Sequence, residues 1–286
     1  MESTEQLDDW LDDFIVRAMA EDVGDGDHTS QACIPEDAVS RAQLLVKDPG
    51  VIAGIEVARR VLLHADPNAK IDLFLSDGAA VNYGDIAFKV TANTRALLRA
   101  ERLLLNTMQR MSGIATLANR YLFEVEDLPV KILDTRKTTP LLRPLEKWAV
   151  RLGGCHNYRD GLYDWIMIKD NHVEAAGGIR LAIERVHTYL KRTGRDLNIT
   201  VEVRNLVEMT QALEAGGITR IMFDNFEVPL LREAVAHVNG RFQTEASGGI
   251  NLHTIRKYAQ TGVEYISVGA LTHSAVALDL SLKIID

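Results

Sequence analysis

Cysteine is scarce in this sequence, with only Cys33 and Cys155 among 286 residues. Two cysteines this far apart predict neither a disulfide framework nor the closely spaced pair of a zinc or redox motif. Apolar runs of the ~20 residues that span a membrane are also absent. The acidic segment MESTEQLDDWLDDF lacks the apolar stretch of a secretory signal. These absences predict a cytoplasmic protein that works away from membranes.

The excess negative charge is confined to the beginning of the chain. The formal net charge is −8, yet residues 1–27 hold ten acids and one base, so the remaining residues carry +1. Basic residues interleaved with aromatics, which are typical of nucleic-acid surfaces, do not form a stripe. We therefore expect no nucleic-acid partner, and local clusters of cations become more informative than the total charge.

The first third of the chain mixes helix and strand patterns without regular alternation. Residues 6–20 and 56–65 have helical spacing, whereas RAQLLVKD (41–48) and IDLFLSD (71–77) predict strands. This order predicts an α+β domain.

A long helix is predicted from Thr94. It carries a polar stripe at intervals of three and four, made of Arg95, Arg99, Arg102, Asn106, Gln109 and Gly113. The pattern alone favours a solvated helix face.

Beyond residue 125, short apolar runs alternate with helical segments. The predicted strands are 130–135, 165–170, 198–203, 220–225, 242–247 and 264–269, and the predicted helices are 143–152, 176–193, 205–215, 228–237 and 251–260. Strands joined through helices form parallel sheets, and near-continuous apolar strands suit burial on both faces. The short repeat predicts an α/β barrel.

Polar residues follow each predicted strand at its carboxyl end. They are Asp134, Arg136 and Lys137; Lys169, Asp170 and Asn171; Glu202 and Arg204; Asp224 and Asn225; Glu245 and Ser247; and Ser267. Any one of them could be a loop charge or part of a structural ion pair. Because these strand ends form the active-site face of α/β barrels, six of them in register predict an active site there.

Glycine-containing turns follow the last two strands. EASGGI places Ser247, Gly248 and Gly249 after one strand, and SVGAL places Gly269 after the next. Such turns expose backbone N–H groups, and a helix N-terminus adds positive potential, so the pair predicts a phosphate site.

Glu202 and Asp224 are the candidate metal ligands because they end neighbouring strands. Two carboxylates suit Mg²⁺ that is held partly by substrate phosphates. The alternative is that these carboxylates offset Arg204 or Lys169.

The segment LDTRKTTP (133–140) puts Arg136 and Lys137 side by side at a strand end. Adjacent cations repel, so a buried pair needs an anion, whereas water and salt relieve an exposed pair. The loop GGCHNYRDG (153–161) adds Arg159 and His156, and KDNHV adds Lys169 and His172. These groups predict a substrate with several anionic groups.

Long motifs of the chain resemble the quinolinate phosphoribosyltransferase family. They are AERLLLNTMQRMSGIAT (100–116), LDTRKTTPLLRPLEKWAV (133–150), GGCHNYRDGLYDWIMIKDNHV (153–173), IMFDN (221–225), EASGGI (245–250) and SVGALTHSA (267–275). The resemblance implies an N-terminal open-faced α/β sandwich over residues 1–112, joined by 275–286, and an open seven-stranded α/β barrel over 113–274. Because the pattern yields six strands, the seventh is expected within 113–128.

The resemblance also implies an activity. A phosphoribosyl group passes from 5-phosphoribosyl-1-pyrophosphate to quinolinate with Mg²⁺, giving nicotinate mononucleotide, CO2 and pyrophosphate in NAD biosynthesis. Lys137, Glu202 and Asp224 match the family's catalytic residues, and the two acids match its metal ligands.

The binding residues carry over by motif. Quinolinate ligands correspond to Arg102, Arg136, Tyr158, Arg159, Lys169 and His172, and the 5-phosphate site corresponds to Ser247, Gly248, Gly249 and Gly269. Arg102 matches an arginine that reaches into a partner subunit's site, which implies at least a homodimer.

The loop GGCHNYR departs from the common family pattern GGGxNHR. Cys155 replaces a glycine, and Tyr158 stands where a histidine usually assists the substrate. A tyrosine can donate one hydrogen bond but cannot become cationic. We therefore hypothesise that quinolinate binding is weaker or less sensitive to pH.

Three other functions fit parts of the pattern. A related type II phosphoribosyltransferase would act on nicotinate or another base. Such a base lacks the second carboxylate of quinolinate, so its binding would not require the additional cations. A Schiff-base aldolase would use Lys169 as its nucleophile. A sensor without catalytic activity would bind phosphoribosyl pyrophosphate but release no pyrophosphate.

Overall fold

The computed structural model describes residues 4–285. They form two compact units. The first contains the residues up to Asn119, Thr139–Gly154 and the residues from Ala275, and the second contains Arg120–Thr138 and Cys155–Ser274. Residues 139–154, which the resemblance assigns to the barrel, are therefore grouped with the first unit. Among the described helices, none has the length and apolar character needed to cross a membrane.

The helices and strands follow in this order. Up to residue 125 they are α1 (Thr4–Val23), α2 (His28–Cys33), β1 (Val39–Val46), β2 (Gly50–Val51), α3 (Ile55–Ala65), β3 (Lys70–Leu73), β4 (Ala80–Val81), β5 (Ile86–Asn93) and α4 (Thr94–Phe123). After it they are β6 (Lys131–Leu133), α5 (Arg143–Leu152), β7 (Ile166–Ile168), α6 (Asp170–Ala176), α7 (Ile179–Thr193), β8 (Ile199–Val203), α8 (Leu206–Ala215), β9 (Arg220–Asp224), α9 (Val228–Val238), β10 (Gln243–Ser247), α10 (Ile255–Ala259), β11 (Tyr265–Ser267), α11 (Ala270–His273) and β12 (Leu280–Ile285).

An antiparallel sheet with strand order β12-β1-β5-β3 organises the first unit. Leu44, Val46, Phe88 and Val90 are buried, and less buried residues stand between them along β1 and β5. This period of two is typical of a sheet that covers a core with one face. The strand β12 forms one edge by pairing antiparallel with β1.

The long helix predicted from Thr94 is α4. The side chain of Asn93 accepts the N–H of Ala96 at 3.1 Å, which caps the start of the helix. Part of its polar stripe is structural, because Arg95 donates to the carbonyl of Ile34 at 2.6 Å and Gln109 to that of Leu280 at 3.1 Å.

A parallel sheet with strand order β6-β11-β10-β9-β8-β7 organises the second unit. All six predicted strands are confirmed. Every residue of β8 and the first four of β9 are buried, as expected for strands covered on both faces. The structure therefore confirms the α/β class predicted for this part of the chain.

A seventh extended segment lies at the edge of this sheet. His156 forms an isolated parallel bridge with Leu133 of β6, donating its N–H to Ile132 at 2.9 Å and accepting that of Asp134 at 3.0 Å. The expectation of a strand within 113–128 is wrong, because α4 occupies that stretch up to Phe123. Among the described residues no strand pairing joins β7 to the His156 segment, so the barrel is open.

Candidate active site

The carboxyl ends of the barrel strands surround one cavity of about 770 Å³. Its wall contains eleven of the predicted site residues: Arg136, Lys137, Tyr158, Arg159, Lys169, Glu202, Asp224, Ser247, Gly248, Gly249 and Gly269. It also contains Asn225 and Ser267, which the prediction named as polar strand-end residues, and residues that it did not name: Thr135, Met167, Met222, Ile250, Ala270 and His273. All of them belong to the second unit.

Two of the predicted site residues do not line this cavity. The Arg102 side chain is on α4, is 60% exposed and lies 3.0 Å from Glu101. The His172 side chain accepts the backbone N–H of Lys169 at 3.0 Å and takes part in a capping box at the start of α6. His172 therefore stabilises the start of α6, a role that its position after a predicted strand does not indicate.

The turn after β10 contains two glycines in the wall of the cavity. Gly248 and Gly249 have φ of +96° and +63°, and a methyl group at position 248 would overlap the side chain of Asn225. Only glycine adopts such angles without strain, and it lets the backbone come close to a ligand. The two glycines therefore serve both the turn and the close approach of Asn225.

Asn225 connects this turn to the end of β9. Its N–H donates to Ser247 at 2.8 Å, and its side-chain amide donates to the Asp224 carboxylate at 2.8 Å. It has φ of +55°, a conformation in which asparagine is enriched among non-glycine residues. The amide thus orients one of the two candidate metal ligands.

Lys137 lies between the first and last strand ends. Its N–H donates to the Thr135 hydroxyl at 3.1 Å, and its carbonyl accepts from the Thr272 hydroxyl at 2.8 Å. A methyl group at position 269 would lie 2.9 Å from Cδ of Lys137 and 3.2 Å from Nε2 of His273. The glycine at 269 therefore allows the lysine to lie against the second glycine turn.

Arg159 lies in the segment between the His156 bridge and β7. Its guanidinium donates to the carbonyl of Trp165 at 3.2 Å. Burial lowers the pKa of Arg159, and the nearby charge of Arg136 lowers it further. Two mutually repelling cations in a cavity wall are stabilised by a bound anion.

Lys169 and Glu202 form an ion pair at 2.7 Å across the ends of β7 and β8. The lysine side chain is 44% exposed and the glutamate side chain 9%. The prediction that Glu202 could offset Lys169 is thus confirmed, and Glu202 also faces the cavity where it could meet a cation.

Two buried strand-end acids do not line the cavity, and neither does the exposed Asp170. Asp134 is fully buried and accepts the Asn157 amide at 2.6 Å and the Tyr158 N–H at 2.8 Å. Glu245 is fully buried and forms an ion pair with Arg220 at 3.0 Å. The prediction that Asp134 and Glu245 belong to the active-site face is therefore wrong. Both side chains instead hold neighbouring protein groups in place.

Cys155, one of the two departures from the family pattern in the loop at 153–161, is buried. Burial raises its pKa to about 12, and the charge of Asp134 acts in the same direction. Since the thiolate is the reactive form of cysteine, this thiol is not a nucleophile at neutral pH.

Glu202 and Asp224 remain the acidic pair of the cavity. Within residues 4–285 no group of three or more His, Cys, Asp or Glu side chains is arranged to hold a metal ion. Mg²⁺ needs no such group, because it commonly keeps water and substrate phosphates among its ligands and takes only one or two protein carboxylates. The donor set therefore fits Mg²⁺ that arrives with a phosphorylated ligand.

Cations and glycine turns that line one cavity at the strand ends define a class of protein: an α/β barrel with a site suited to phosphorylated anions. The sequence matches the quinolinate phosphoribosyl transferase N-terminal domain over residues 27–112 and the C-terminal domain of the same name over residues 114–283. The chain belongs to the quinolinate phosphoribosyltransferase family.

Individual relatives agree with this assignment. The chain is 47% identical to quinolinate phosphoribosyltransferase [decarboxylating] 2a, mitochondrial, of Nicotiana tabacum, over 93% of this chain and 80% of the relative. It is 40% identical to the probable nicotinate-nucleotide pyrophosphorylase [carboxylating] of Bacillus subtilis, over 92% of this chain and 90% of the relative. The crystal structure of NadC from Streptococcus pyogenes superposes with a TM-score of 0.91 at 35% identity, covering 100% of this chain and 99% of that one. The predicted two-part fold is thereby confirmed.

Proposed function

We propose that this chain transfers the phosphoribosyl group of 5-phosphoribosyl-1-pyrophosphate to quinolinate and releases nicotinate mononucleotide, CO2 and pyrophosphate. One observation supports this most strongly. A single cavity is lined both by cations and by glycine turns, and Lys137 lies against Gly269. A dianionic ring and a sugar phosphate would each meet complementary groups there.

Quinolinate is assigned to the cationic side. Its two carboxylates require at least two cations, and Arg136, Arg159 and Lys169 all line the cavity. A guanidinium can bind a carboxylate through two parallel hydrogen bonds, whereas an ammonium acts as a point charge. Lys169 would exchange part of its pairing with Glu202 for a substrate carboxylate.

The 5-phosphate is assigned to the glycine turns. Ser247, Gly248, Gly249 and Gly269 line the cavity. Backbone N–H groups and a serine hydroxyl are donors to phosphate oxygens. The ribose would then extend toward the ends of β8 and β9, where Glu202 and Asp224 lie.

The chain's own residues supply position and electrostatic stabilisation. Departure of pyrophosphate leaves positive charge on the ribose, and the carboxylates of Glu202 and Asp224 would stabilise it. Lys137 would offset negative charge near the breaking bonds. The ring nitrogen of quinolinate is itself the nucleophile, so the protein only has to align the two substrates. Once the ring is a pyridinium, its positive charge stabilises the carbanion that departing CO2 leaves on the ring carbon, and that carbon then takes up a proton from water.

Mg²⁺ is the proposed cofactor. Glu202 and Asp224 would hold it together with the pyrophosphate of the substrate. When bound, the ion neutralises charge on the leaving group.

A homodimer is the proposed assembly. Arg102 projects from α4 with a side chain that is 60% exposed, and a dimer would let it enter the partner's cavity as a further quinolinate ligand. Cytoplasmic localisation also stays a prediction. Cell fractionation would test it, because several plant relatives are named mitochondrial or chloroplastic.

The Schiff-base alternative is not favoured. Lys169 is paired with Glu202 at 2.7 Å, and an ammonium engaged in an ion pair is not a nucleophile.

The test is an incubation of the protein with Mg²⁺, phosphoribosyl pyrophosphate and either quinolinate or nicotinate. We expect equal amounts of CO2 and pyrophosphate with quinolinate. Pyrophosphate with nicotinate alone would overturn the proposed substrate, and binding without release of pyrophosphate would indicate a sensor.

A further inference from the structure

A buried arginine lies beneath the cavity. Arg220 opens β9, is only 4% exposed and is not part of the cavity wall. Its guanidinium donates to the Glu245 carboxylate at 3.0 Å and to the Gln243 side chain at 2.9 and 3.1 Å. Burial raises the pKa of Glu245, and the charge of Arg220 opposes this effect.

Three aromatic rings surround this guanidinium. Its central carbon lies 3.7 Å from the ring centre of Tyr265, 5.0 Å from that of Tyr158 and 5.2 Å from that of Trp165. These distances are within the range of cation–π attraction. Tyr158 and Trp165 also contact each other edge to face, with ring centres 5.6 Å apart. We call Arg220 and these three rings the aromatic cage.

The hydroxyl of Tyr158 makes hydrogen bonds to buried side chains next to the aromatic cage. It lies 2.7 Å from the hydroxyl of Thr200, which accepts the indole N–H of Trp165 at 2.9 Å, and it also hydrogen-bonds Glu245. A carboxylate only accepts hydrogen bonds. The phenol therefore donates its one proton to Glu245, and the Thr200 hydroxyl donates to the phenol oxygen.

Two rings of the cage come from an irregular segment of the chain, which hydrogen bonds to Asp134 and Asp164 also hold. Tyr158 and Trp165 lie between the His156 bridge and β7, where the chain forms no helix or strand. Arg159 follows Tyr158 directly and donates to the carbonyl of Trp165 at 3.2 Å. Two residues of the cage thus fix the place of one cavity cation.

We propose that Arg220 is a positioning residue for the quinolinate side of the cavity: it holds the ring of Tyr158 as a wall and keeps Arg159 in place. The Tyr158 hydroxyl is an anchor in this arrangement and not a substrate ligand. The inference rests on the proposed function, which assigns quinolinate to this side.

The first experiment replaces Arg220 conservatively. R220K keeps the charge but loses the planar fork that binds Gln243 and stacks on Tyr265. We expect the Kd of quinolinate, measured calorimetrically with quinolinate alone, to rise about tenfold, while the KM of phosphoribosyl pyrophosphate changes less than about twofold. R180K, in an exposed ion pair on α7, is the matched control. An unchanged quinolinate Kd, or equal rises for both substrates, would overturn the proposal.

A second pair of variants separates the ring of Tyr158 from its hydroxyl. Y158F should raise the quinolinate Kd by no more than about threefold, and Y158L, which removes the wall, by about tenfold or more. Y189F removes an exposed tyrosine hydroxyl on α7 as the control. A larger loss in Y158F than in Y158L would assign the hydroxyl to the substrate and sink the proposal.

Folding is monitored for every variant by near-ultraviolet circular dichroism, which reports the aromatic cage. If R220K does not fold, Y265L takes its place, since it removes one ring and leaves the Arg220–Glu245 pair intact. The same selective loss of quinolinate affinity is expected. Turnover by the unaltered protein separates the two proposals. If that protein releases no pyrophosphate with quinolinate, the proposed function is wrong. If it does, but the cage variants bind quinolinate as well as the unaltered protein, only this inference is wrong.

Discussion

The ammonium of Lys169 and the carboxylate of Glu202 lie 2.7 Å apart and join the ends of β7 and β8 at the cavity. Since the glutamate side chain is 9% exposed and the lysine side chain 44%, the lysine is the partner that can turn toward a ligand. The pair therefore couples the quinolinate side of the cavity to one of the candidate metal ligands.

Removal of the lysine should weaken quinolinate binding. We expect K169M to raise the KM of quinolinate about tenfold or more, because one carboxylate loses its cation and Glu202 is left unpaired. Steady-state kinetics with release of CO2 provides the measurement. K191M, on the exposed face of α7, should behave as the unaltered protein, and an equal effect of both variants would contradict the assignment.

Lys137 should be needed for turnover and not for folding. Its side chain is exposed, so K137A should cost less than about 0.5 kcal/mol of unfolding free energy. We expect kcat to fall about a hundredfold or more, as for loss of a charge-stabilising group. K257A on α10 is a control at an exposed lysine. A K137A rate near that of the unaltered protein at saturating substrates would remove Lys137 from the mechanism.

The glycine turn after β10 can be tested against a similar turn elsewhere. Gly248 and Gly240 both have positive φ, but only position 248 has a neighbour that a methyl group would meet. Each alanine substitution should cost roughly 1–3 kcal/mol through backbone strain. Only G248A should also raise the KM of phosphoribosyl pyrophosphate. If G240A raised it equally, the effect would come from stability and not from the phosphate site.

The side chain of Tyr158 leads to a prediction about how quinolinate binding depends on pH. Burial raises its pKa above the usual value of tyrosine, so the residue stays neutral over the working range and contributes no step to the pH profile of quinolinate binding. Y158H introduces a histidine, whose unperturbed pKa is ~6.5. Its cationic form would favour a dicarboxylate, so the KM of quinolinate should fall as pH decreases below that value. Unchanged KM values and pH profile in Y158H would contradict the hypothesis, and Y189H is the control.

Mixed oligomers can test whether Arg102 acts in a partner's cavity. R102A and K137A should each be inactive. In a re-associated equimolar mixture, half of the dimers are mixed and each has one complete site, so about a quarter of the normal activity should return. No recovery, despite subunit exchange shown by mass spectrometry, would mean that Arg102 acts in its own subunit or not at all.

Much of the second unit could be predicted because its strands are buried on both faces and begin and end clearly. The helix at 143–152, which is grouped with the first unit, was also placed at its observed ends, since a proline opens it and glycines follow. Strand β5 was missed because it runs into α4 at Asn93 without a turn. The seventh barrel segment escaped prediction because a single bridge at His156 has no periodic pattern.

Site residues were predicted correctly where their type and their place at a strand end were enough to identify them. The prediction failed where burial determines whether a side chain faces the cavity. Asp134 and Glu245 have the same sequence setting as Asp224 and Glu202, yet they are fully buried. Which of these acids faces the cavity depends on the side-chain direction along each strand, and on partners such as Arg220 that lie far away in the chain. Asn225 was predicted only as a polar strand-end residue, although asparagine tolerates positive φ and so suits the turn that it forms.

The pairing of β12 with β1 has a consequence for synthesis of the protein. Leu280 lies opposite Val46, so this sheet edge stays open on the ribosome until the whole second unit has been translated. Contacts so distant in sequence form slowly, and an unpaired edge strand is prone to aggregate in the interval. The first unit should therefore depend on chaperones more than the barrel does while the chain is being made.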